Sequence, residues 1–249
     1  MPISKILLQP EGSGVFEKRS MQQEFLDSPD CDPELAAESY RFMEKVNRFF
    51  GGAGNVRRFI EKEAADCKSS SPLRILDIGS GSCDIPVAIS RWARGRGIPV
   101  KFTCLEIFDS AVKIARAKIA ESGETSVELI QEDVFTHFPE HPYDYAVASM
   151  CFHHFEDEKI LELMGRLRTF VKRGVLINDL HRSPLTWLGA VPLTVFSHEG
   201  VKHDSRLSIR RGFKIRELRK LLMRLDDVAV SVKPAWLFRV SATVRFGKG

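Results

Sequence analysis

The 249-residue sequence has no long apolar run and no closely spaced cysteine pair. A membrane-spanning helix needs about 18 consecutive apolar residues, and the apolar run at residues 6–8 is also too short for a signal peptide. The five cysteines are odd in number and lack C-x-x-C spacing. We therefore expect neither disulfides nor zinc, and no metal site. These absences favour a cytoplasmic protein without a transmembrane segment.

The sequence also lacks a strong excess of charge of either sign, since the formal net charge is only +4. Such a small excess does not by itself indicate a nucleic-acid partner. Hydrophobic residues make up 43% of the chain, which is enough to build a sizeable core. The length permits one large α/β domain or two small ones, and the oligomeric state is left open.

Against this background, residues 73–86 stand out with the sequence LRILDIGSGSCDIP. The segment opens with an apolar run typical of a buried parallel strand. Gly79 and Gly81 then predict a turn, and Asp84 with Pro86 predicts a helix that has Asp84 as its N-cap. A strand, glycine turn and helix in this order let a polar ligand approach backbone groups at the helix N-terminus.

Strand and helix patterns alternate from residue 73 to residue 180, with Asp109 as the expected N-cap of the second of these helices. This alternation predicts a mostly parallel sheet with helices on both faces. Two more strand patterns follow at residues 228–233 and 236–246. Because only two residues separate them, these strands must pair antiparallel, which gives seven strands in all.

The chain divides into residues 1–72, a lead-in with a helical cap, and residues 73–249, the core. Apolar positions recur at helical spacing within residues 33–50 of the cap, and a second helix is expected over residues 55–67. Residues 183–212 interrupt the alternation of the core. A segment of that length is typical of a functional lid, and its Trp187, Leu193 and Phe196 are expected to line it.

Two acidic residues follow the next two strands. Glu106 ends the second strand, where a carboxylate accepts hydrogen bonds from ribose hydroxyls. Asp133 closes the third strand and can accept from an adenine amine, between apolar walls formed by Ile107 and Val134. The dinucleotide fingerprint G-x-G-x-x-G requires a glycine where this chain has Asp84.

These residues resemble motif I of class I S-adenosylmethionine-dependent methyltransferases, D-x-G-x-G-x-G. Asp77, Gly79 and Gly81 hold their places in the motif, and Cys83 replaces the third glycine. The resemblance implies a Rossmann-like fold with a C-terminal antiparallel hairpin. The segments SMCFHHF and INDLHRS are most similar to methyltransferases of ubiquinone/menaquinone biosynthesis and to those acting on phenols or polyketides.

The resemblance also implies how S-adenosyl-L-methionine is held. Backbone groups of the glycine turn meet the methionine part of the cofactor, and Asp77 orients its ammonium group. The acid after the second strand holds the ribose, and the acid after the third holds the adenine. The implied cofactor residues are Asp77, Gly79, Ser80, Gly81, Glu106, Ile107, Asp133, Val134 and Ser149.

The resemblance further implies methyl transfer to a small-molecule acceptor that is apolar or aromatic. The accepting atom would be an aromatic or polyketide-like hydroxyl or an activated carbon, which requires removal of a proton. His153 follows the fourth strand and His181 the fifth, so both are candidate bases. Asp179 is expected to orient His181 or to act itself.

Three alternatives remain open at this stage. Basic residues within 202–224 fit an RNA methyltransferase, but no N-P-P-[YF] tetrad or Pro-Cys dipeptide occurs, so nucleic acid is not favoured. An NAD-dependent oxidoreductase is opposed by Asp84 and by the C-terminal hairpin. A protein that binds the cofactor without chemistry would have a closed acceptor pocket.

Overall fold

The computed structural model describes residues 14–28, 30–65, 71–236 and 238–247. The strands are β1 (Leu73–Ile78), β2 (Val100–Glu106), β3 (Val127–Gln131), β4 (Tyr143–Ser149), β5 (Val171–Leu180), β6 (Val228–Ala235) and β7 (Arg239–Phe246). The helices are α1 (Pro33–Phe49), α2 (Gly52–Ala65), α3 (Asp84–Arg94), α4 (Asp109–Ser122), α5 (Asp157–Leu167), α6 (Pro184–Thr194), α7 (Glu199–Arg211) and α8 (Ile215–Leu222). No helix in these ranges is both long and apolar enough to cross a membrane.

The strands form one sheet in the order β3-β2-β1-β4-β5-β7-β6. β7 runs antiparallel to both of its neighbours, β5 and β6, and the other pairs of strands are parallel. The predicted seven-stranded, mostly parallel Rossmann-like sheet with a C-terminal antiparallel hairpin is confirmed. Because the order reverses between β1 and β4, the carboxyl ends of these two strands border the crevice where such sheets bind ligands.

Both faces of the sheet are buried, which explains the near-continuous apolar runs of its central strands. In β1, Ile75 packs on one face with residues of α2 and α3. Its neighbour Leu76 packs on the other face with residues of α5 and α8. Successive side chains of a strand point to opposite faces, so β1 contributes to the cores on both faces of the sheet.

Two helix starts differ from the sequence-based prediction. The N-cap of α3 is Cys83, in a left-handed conformation, and the N-cap of α4 is Phe108, so Asp84 and Asp109 are the first helical residues. The left-handed conformation of Cys83 ends the glycine turn at position 83, so α3 begins at Asp84, one residue earlier than an N-cap at Asp84 would allow. The Asp84 carboxylate instead accepts hydrogen bonds from Asn47 of α1, at 3.2 and 3.4 Å.

Residues 14–28 are not a loose lead-in, because they pack against the loop after β4 and against α7. Arg19 forms an ion pair with Asp157 at 2.7 Å and donates hydrogen bonds to the carbonyl oxygens of Phe155, at 2.8 Å, and Arg211, at 3.0 Å. Residues 1–13, expected in the lead-in, lie outside the described residues. So do residues 66–70, which were expected to form the end of the second helix and part of the linker after it.

The predicted insertion at residues 183–212 consists of the two helices α6 and α7. These helices pack against each other, and α7 also contacts α1. α6 begins at Pro184 with Ser183 as its N-cap, whose hydroxyl accepts a hydrogen bond from the Thr186 N–H at 3.1 Å. The insertion and the helical cap therefore form one layer of helices, which covers the site described below.

We expect Gly174→Ala to lower the free energy of unfolding by about 2–4 kcal/mol. Gly174 has φ +150°, and a Cβ there would lie 2.1 Å from the Val244 carbonyl oxygen of β7. Gly165→Ala in the exposed face of α5 is the matched control, because nothing lies within 4 Å of its added Cβ. The control should be neutral or stabilising by up to about 1 kcal/mol. Equal urea midpoints for the two variants would contradict this account.

Candidate cofactor and acceptor site

The turn after β1 is a cradle that only small residues with unusual backbone angles can form. Gly79, Gly81 and Cys83 all have positive φ, at 63°, 53° and 56°. A Cβ on Gly79 would lie 2.7 Å from Cys151 Sγ, and one on Gly81 would lie 3.3 Å from the ring of Tyr40. Side chains at either glycine would therefore fill the space that the turn leaves open.

The Glu106 carboxylate holds this turn against the end of β2. Its Oε2 accepts a hydrogen bond from the Gly81 N–H at 2.8 Å. Its Oε1 accepts from the N–H groups of Ile107 at 2.8 Å and Phe108 at 3.1 Å. Because these bonds use an ionised acceptor, they are stronger than ordinary hydrogen bonds, and they keep the cradle in shape.

Asp77 lies beneath the turn and is almost completely buried. Burial, together with the nearby carboxylates of Asp84 and Glu106, raises the pKa of its carboxyl to about 7, against the lowering effect of a hydrogen bond from Ser80. Asp77 is not on the wall of the cleft, so it supports the turn from below. A positively charged group bound above the turn would favour its ionised form.

A cleft of about 630 Å³ opens above the carboxyl ends of the central strands. Eight of the nine cofactor residues implied by the sequence line it. Asp133 is exposed at its rim, and the buried Val134 beside it offers an apolar surface. The lining residues of this set are Gly79, Ser80, Gly81, Glu106, Ile107, Asp133, Val134 and Ser149.

His153 lies on the wall of the same cleft and is only 1% exposed. Its Nδ1 is 2.7 Å from Asp179 Oδ1. Its Nε2 is buried, has no hydrogen-bond partner among the described residues and lies 3.7 Å from Glu24 Oε1. Burial lowers the pKa of His153, but the Asp179 carboxylate, with Glu24, outweighs this and raises the pKa to about 9.

Asp179 therefore orients His153 and not His181. Burial raises the pKa of Asp179, but His153 and the Leu180 N–H, which donates at 2.7 Å, bring it down to about 2. His181 lies beyond the end of β5, where its backbone N–H donates to the Phe238 carbonyl oxygen at 2.9 Å. Its half-buried ring is not on the wall of the cleft.

The acid facing His153, Glu24, comes from the N-terminal segment. Its Oε1 accepts a hydrogen bond from Ser208 Oγ at 2.8 Å and lies 3.4 Å from Arg211 Nη1. Ligand atoms of Glu24, His153 and His154 lie within 4.8 Å of one another, a spacing at which a cation could be held. The Arg211 guanidinium already supplies a positive charge at this point, so we do not invoke a metal.

A second, smaller chamber of about 90 Å³ adjoins the cleft beneath α1, α6 and α7. Its walls are mostly apolar, and Leu193 of the insertion is one of them. The other two expected lining residues differ. Phe196 is fully exposed to solvent. Trp187 does not line the chamber, and the Arg206 guanidinium lies over its ring, 5.7 Å from the centre of the ring. The residues shared by cleft and chamber are Glu24, Leu26, Met43, Met150 and Ser208.

Sequence reasoning missed three residues of this site. Glu24 and Tyr40 reach it from sequence positions far from the strand ends, and no local pattern marks them. Arg239 lies on the wall of the chamber and is buried. The signal that could have found it is an arginine at the first position of a strand whose neighbours Val240 and Ala242 are apolar core residues.

Comparisons with known proteins agree with this architecture. Residues 75–174 match the family model of a methyltransferase domain. The plantazolicin methyltransferase BpumL, in complex with a pentazolic desmethylPZN analog and SAH, has a TM-score of 0.67 at 15% identity, covering 94% of this chain and 97% of that chain. Magnesium protoporphyrin IX methyltransferase from Synechocystis PCC 6803, with bound SAM, has a TM-score of 0.54 at 12% identity, covering 79% and 80%. No curated protein matches the sequence.

Residues 75–174, which include the glycine turn and Glu106, match the model of a methyltransferase domain and form the central part of this sheet. The methyl donor expected for such a domain is S-adenosyl-L-methionine, and both solved neighbours contain SAM or SAH. The predictions of a methyltransferase and of this cofactor are confirmed. The roles of individual residues stay predictions.

We expect Glu106→Ala to weaken binding of S-adenosylhomocysteine by about 1.5–3 kcal/mol, because the change removes charge-assisted hydrogen bonds. Titration calorimetry measures the affinity. Glu128→Ala on β3 is the matched control, since Glu128 is exposed and forms an ion pair with the exposed Lys101. Unchanged affinity in a folded Glu106 variant would remove Glu106 from the cofactor site.

Proposed function

We propose that this enzyme transfers a methyl group from S-adenosyl-L-methionine to a small-molecule acceptor, an aromatic or polyketide-like compound with a reactive hydroxyl or activated carbon. The observation that carries the proposal is the continuity of the glycine-turn cleft with the apolar chamber, through five shared residues. A cofactor in the cleft and an apolar acceptor in the chamber would meet beside Met150 and His153. The cofactor supplies the reactive methyl, and the protein supplies alignment and proton transfer.

Several features support a small acceptor over a nucleic acid. The chamber has a volume of only about 90 Å³ and lies beneath three helices, which suits a small acceptor better than a nucleic-acid strand. Exclusion of water by such a cover favours a reaction in which charge is neutralised. The fold is shared with a plantazolicin methyltransferase solved with a desmethylPZN analog and with magnesium protoporphyrin IX methyltransferase. The finer likeness to the ubiquinone/menaquinone type rests on the two segments SMCFHHF and INDLHRS.

His153 is the proton acceptor in this proposal. Asp179 binds Nδ1, which leaves Nε2 free to accept a proton from a group in the cleft. Asp179 touches neither cavity and is a positioning residue. In this scheme the adenine lies against Val134 near Asp133, the ribose at Glu106 and the methionine part over Gly79, Ser80 and Gly81.

We expect His153→Ala to lower turnover by roughly 10²–10⁴-fold while the affinity for S-adenosylhomocysteine stays nearly constant. An acceptor for the assay is found by mass spectrometry, as a candidate phenol that gains one methyl group. His181→Ala is the matched control, because His181 is not on the wall of the cleft. A large loss in the His181 variant, with full turnover in the His153 variant, would transfer the role of base to His181.

The pH dependence of kcat/KM should follow His153, which accepts a proton only when neutral. Its pKa of about 9 means that activity rises with pH and levels off above that value. Asp179→Asn removes the carboxylate that raises this pKa, so the rise should move to lower pH, with a lower plateau. Glu24, His154 and Arg211 also face His153 and stay in place. An identical profile in wild type and variant would contradict the assignment.

A further inference from the structure

Arg239 carries a buried positive charge that no carboxylate of the described residues contacts directly. The residue is 2% exposed. Its Nη2 donates to Asn47 Oδ1 at 2.9 Å, but its Nη1 is buried without a hydrogen-bond partner. Burial lowers the pKa of the guanidinium to about 10, so the group stays charged at neutral pH. Asp179 and Asp84 favour the charged form, but neither accepts a hydrogen bond from Nη1. A buried donor without an acceptor is unfavourable, so Nη1 is available to a bound ligand.

The position of Arg239 shows where a ligand of its guanidinium would bind. Arg239 is on the wall of the apolar chamber, and so is Ser39, whose hydroxyl is also buried without a partner. The chamber's two acids are already engaged. Glu24 accepts from Ser208, and Asp204 accepts from two backbone N–H groups of the N-terminal segment at 2.9 and 3.0 Å. Arg239 and Ser39 therefore bring two unpartnered buried donors to the wall of a mostly apolar chamber.

The guanidinium is also held in position from the cofactor side. Asn47, which accepts from Arg239, donates in turn to the Asp84 carboxylate at the start of α3. One hydrogen-bonded chain thus joins the helix after the glycine cradle to the chamber. A rigidly held guanidinium with free donors is suited to recognise a carboxylate, because its planar fork matches that group.

We propose that Arg239 binds a carboxylate of the methyl acceptor inside the chamber. This inference rests on the proposed function, and it narrows the acceptor to a small acid with an apolar body, such as an aromatic hydroxy acid. With the carboxylate at Arg239, the apolar body lies among the chamber walls, and the reactive end points through the shared opening at Met150 toward the cleft.

The test compares acids with neutral amides of the same shape on protein saturated with S-adenosylhomocysteine. The probes are benzoate and 4-hydroxybenzoate against benzamide and 4-hydroxybenzamide, measured by titration calorimetry. We expect each acid to bind at least about tenfold more tightly than its amide, because hydrogen bonds to charged groups are the stronger ones. Arg239→Met should abolish the difference and leave the affinity for S-adenosylhomocysteine within twofold to threefold, roughly.

Lys233→Met is the matched control, because it removes an exposed charge from the neighbouring strand β6 and should keep the preference for acids. If Arg239→Met does not fold, the inference is decided by the affinities of the wild-type protein for the acids and for their amides. Equal binding of acids and amides, or no binding of either, would overturn the inference while leaving the methyltransferase proposal in place. Failure of the wild-type protein to bind S-adenosylhomocysteine would instead overturn the proposed function.

Discussion

One carboxylate shapes the cleft on which the rest of the site depends. Glu106 accepts hydrogen bonds from three backbone N–H groups, one in the turn after β1 and two beyond the end of β2. Three alternate residues of the turn, Gly79, Gly81 and Cys83, have positive φ, and the last of them is not a glycine. Such a backbone is strained and persists only when its surroundings fix it. The shape of the cleft therefore depends on a side chain that itself forms part of the cleft wall.

The acceptor side is assembled from parts of the chain that are distant in sequence. Glu24 from the N-terminal segment and Asp179 from β5 lie on opposite sides of His153, and Arg211 of α7 contacts Glu24. Each acid alone would be costly to bury, but shared positive partners compensate for both. Because the same contacts hold residues 14–28 against the core, the closing of the site and the protonation state of His153 depend on one network. A substitution of Glu24 or Asp179 would therefore change both the packing of residues 14–28 and the pKa of His153.

Features of the fold and site could be predicted from the sequence where they depend on residues close together in the chain, and not where they depend on distant contacts. The sheet, the glycine turn and Glu106 depend on local patterns and on strand ends, so their placement was readable from residues 73 to 133. The N-cap of α3 was misplaced by one residue because a non-glycine residue at position 83 adopts positive φ. Glu24 and Arg239 depend on contacts across more than a hundred residues, which no periodicity records. Phe196 was expected inside the lid and is exposed, since apolar character alone does not fix a direction.

Arg239 Nη1 and His153 Nε2 are both buried without a hydrogen-bond partner among the described residues, and they would interact with different parts of an acceptor. Arg239 is cationic throughout and can compensate a charge that does not change during the reaction. His153 can take up a proton and so responds to the charge that does change. On the proposed reaction, an acidic acceptor would have its carboxylate neutralised in the chamber before its nucleophile is deprotonated. The only charge left uncompensated beside the cleft would then be that of the nucleophile, and in a water-excluded site this is the charge whose attraction to a sulfonium is greatest.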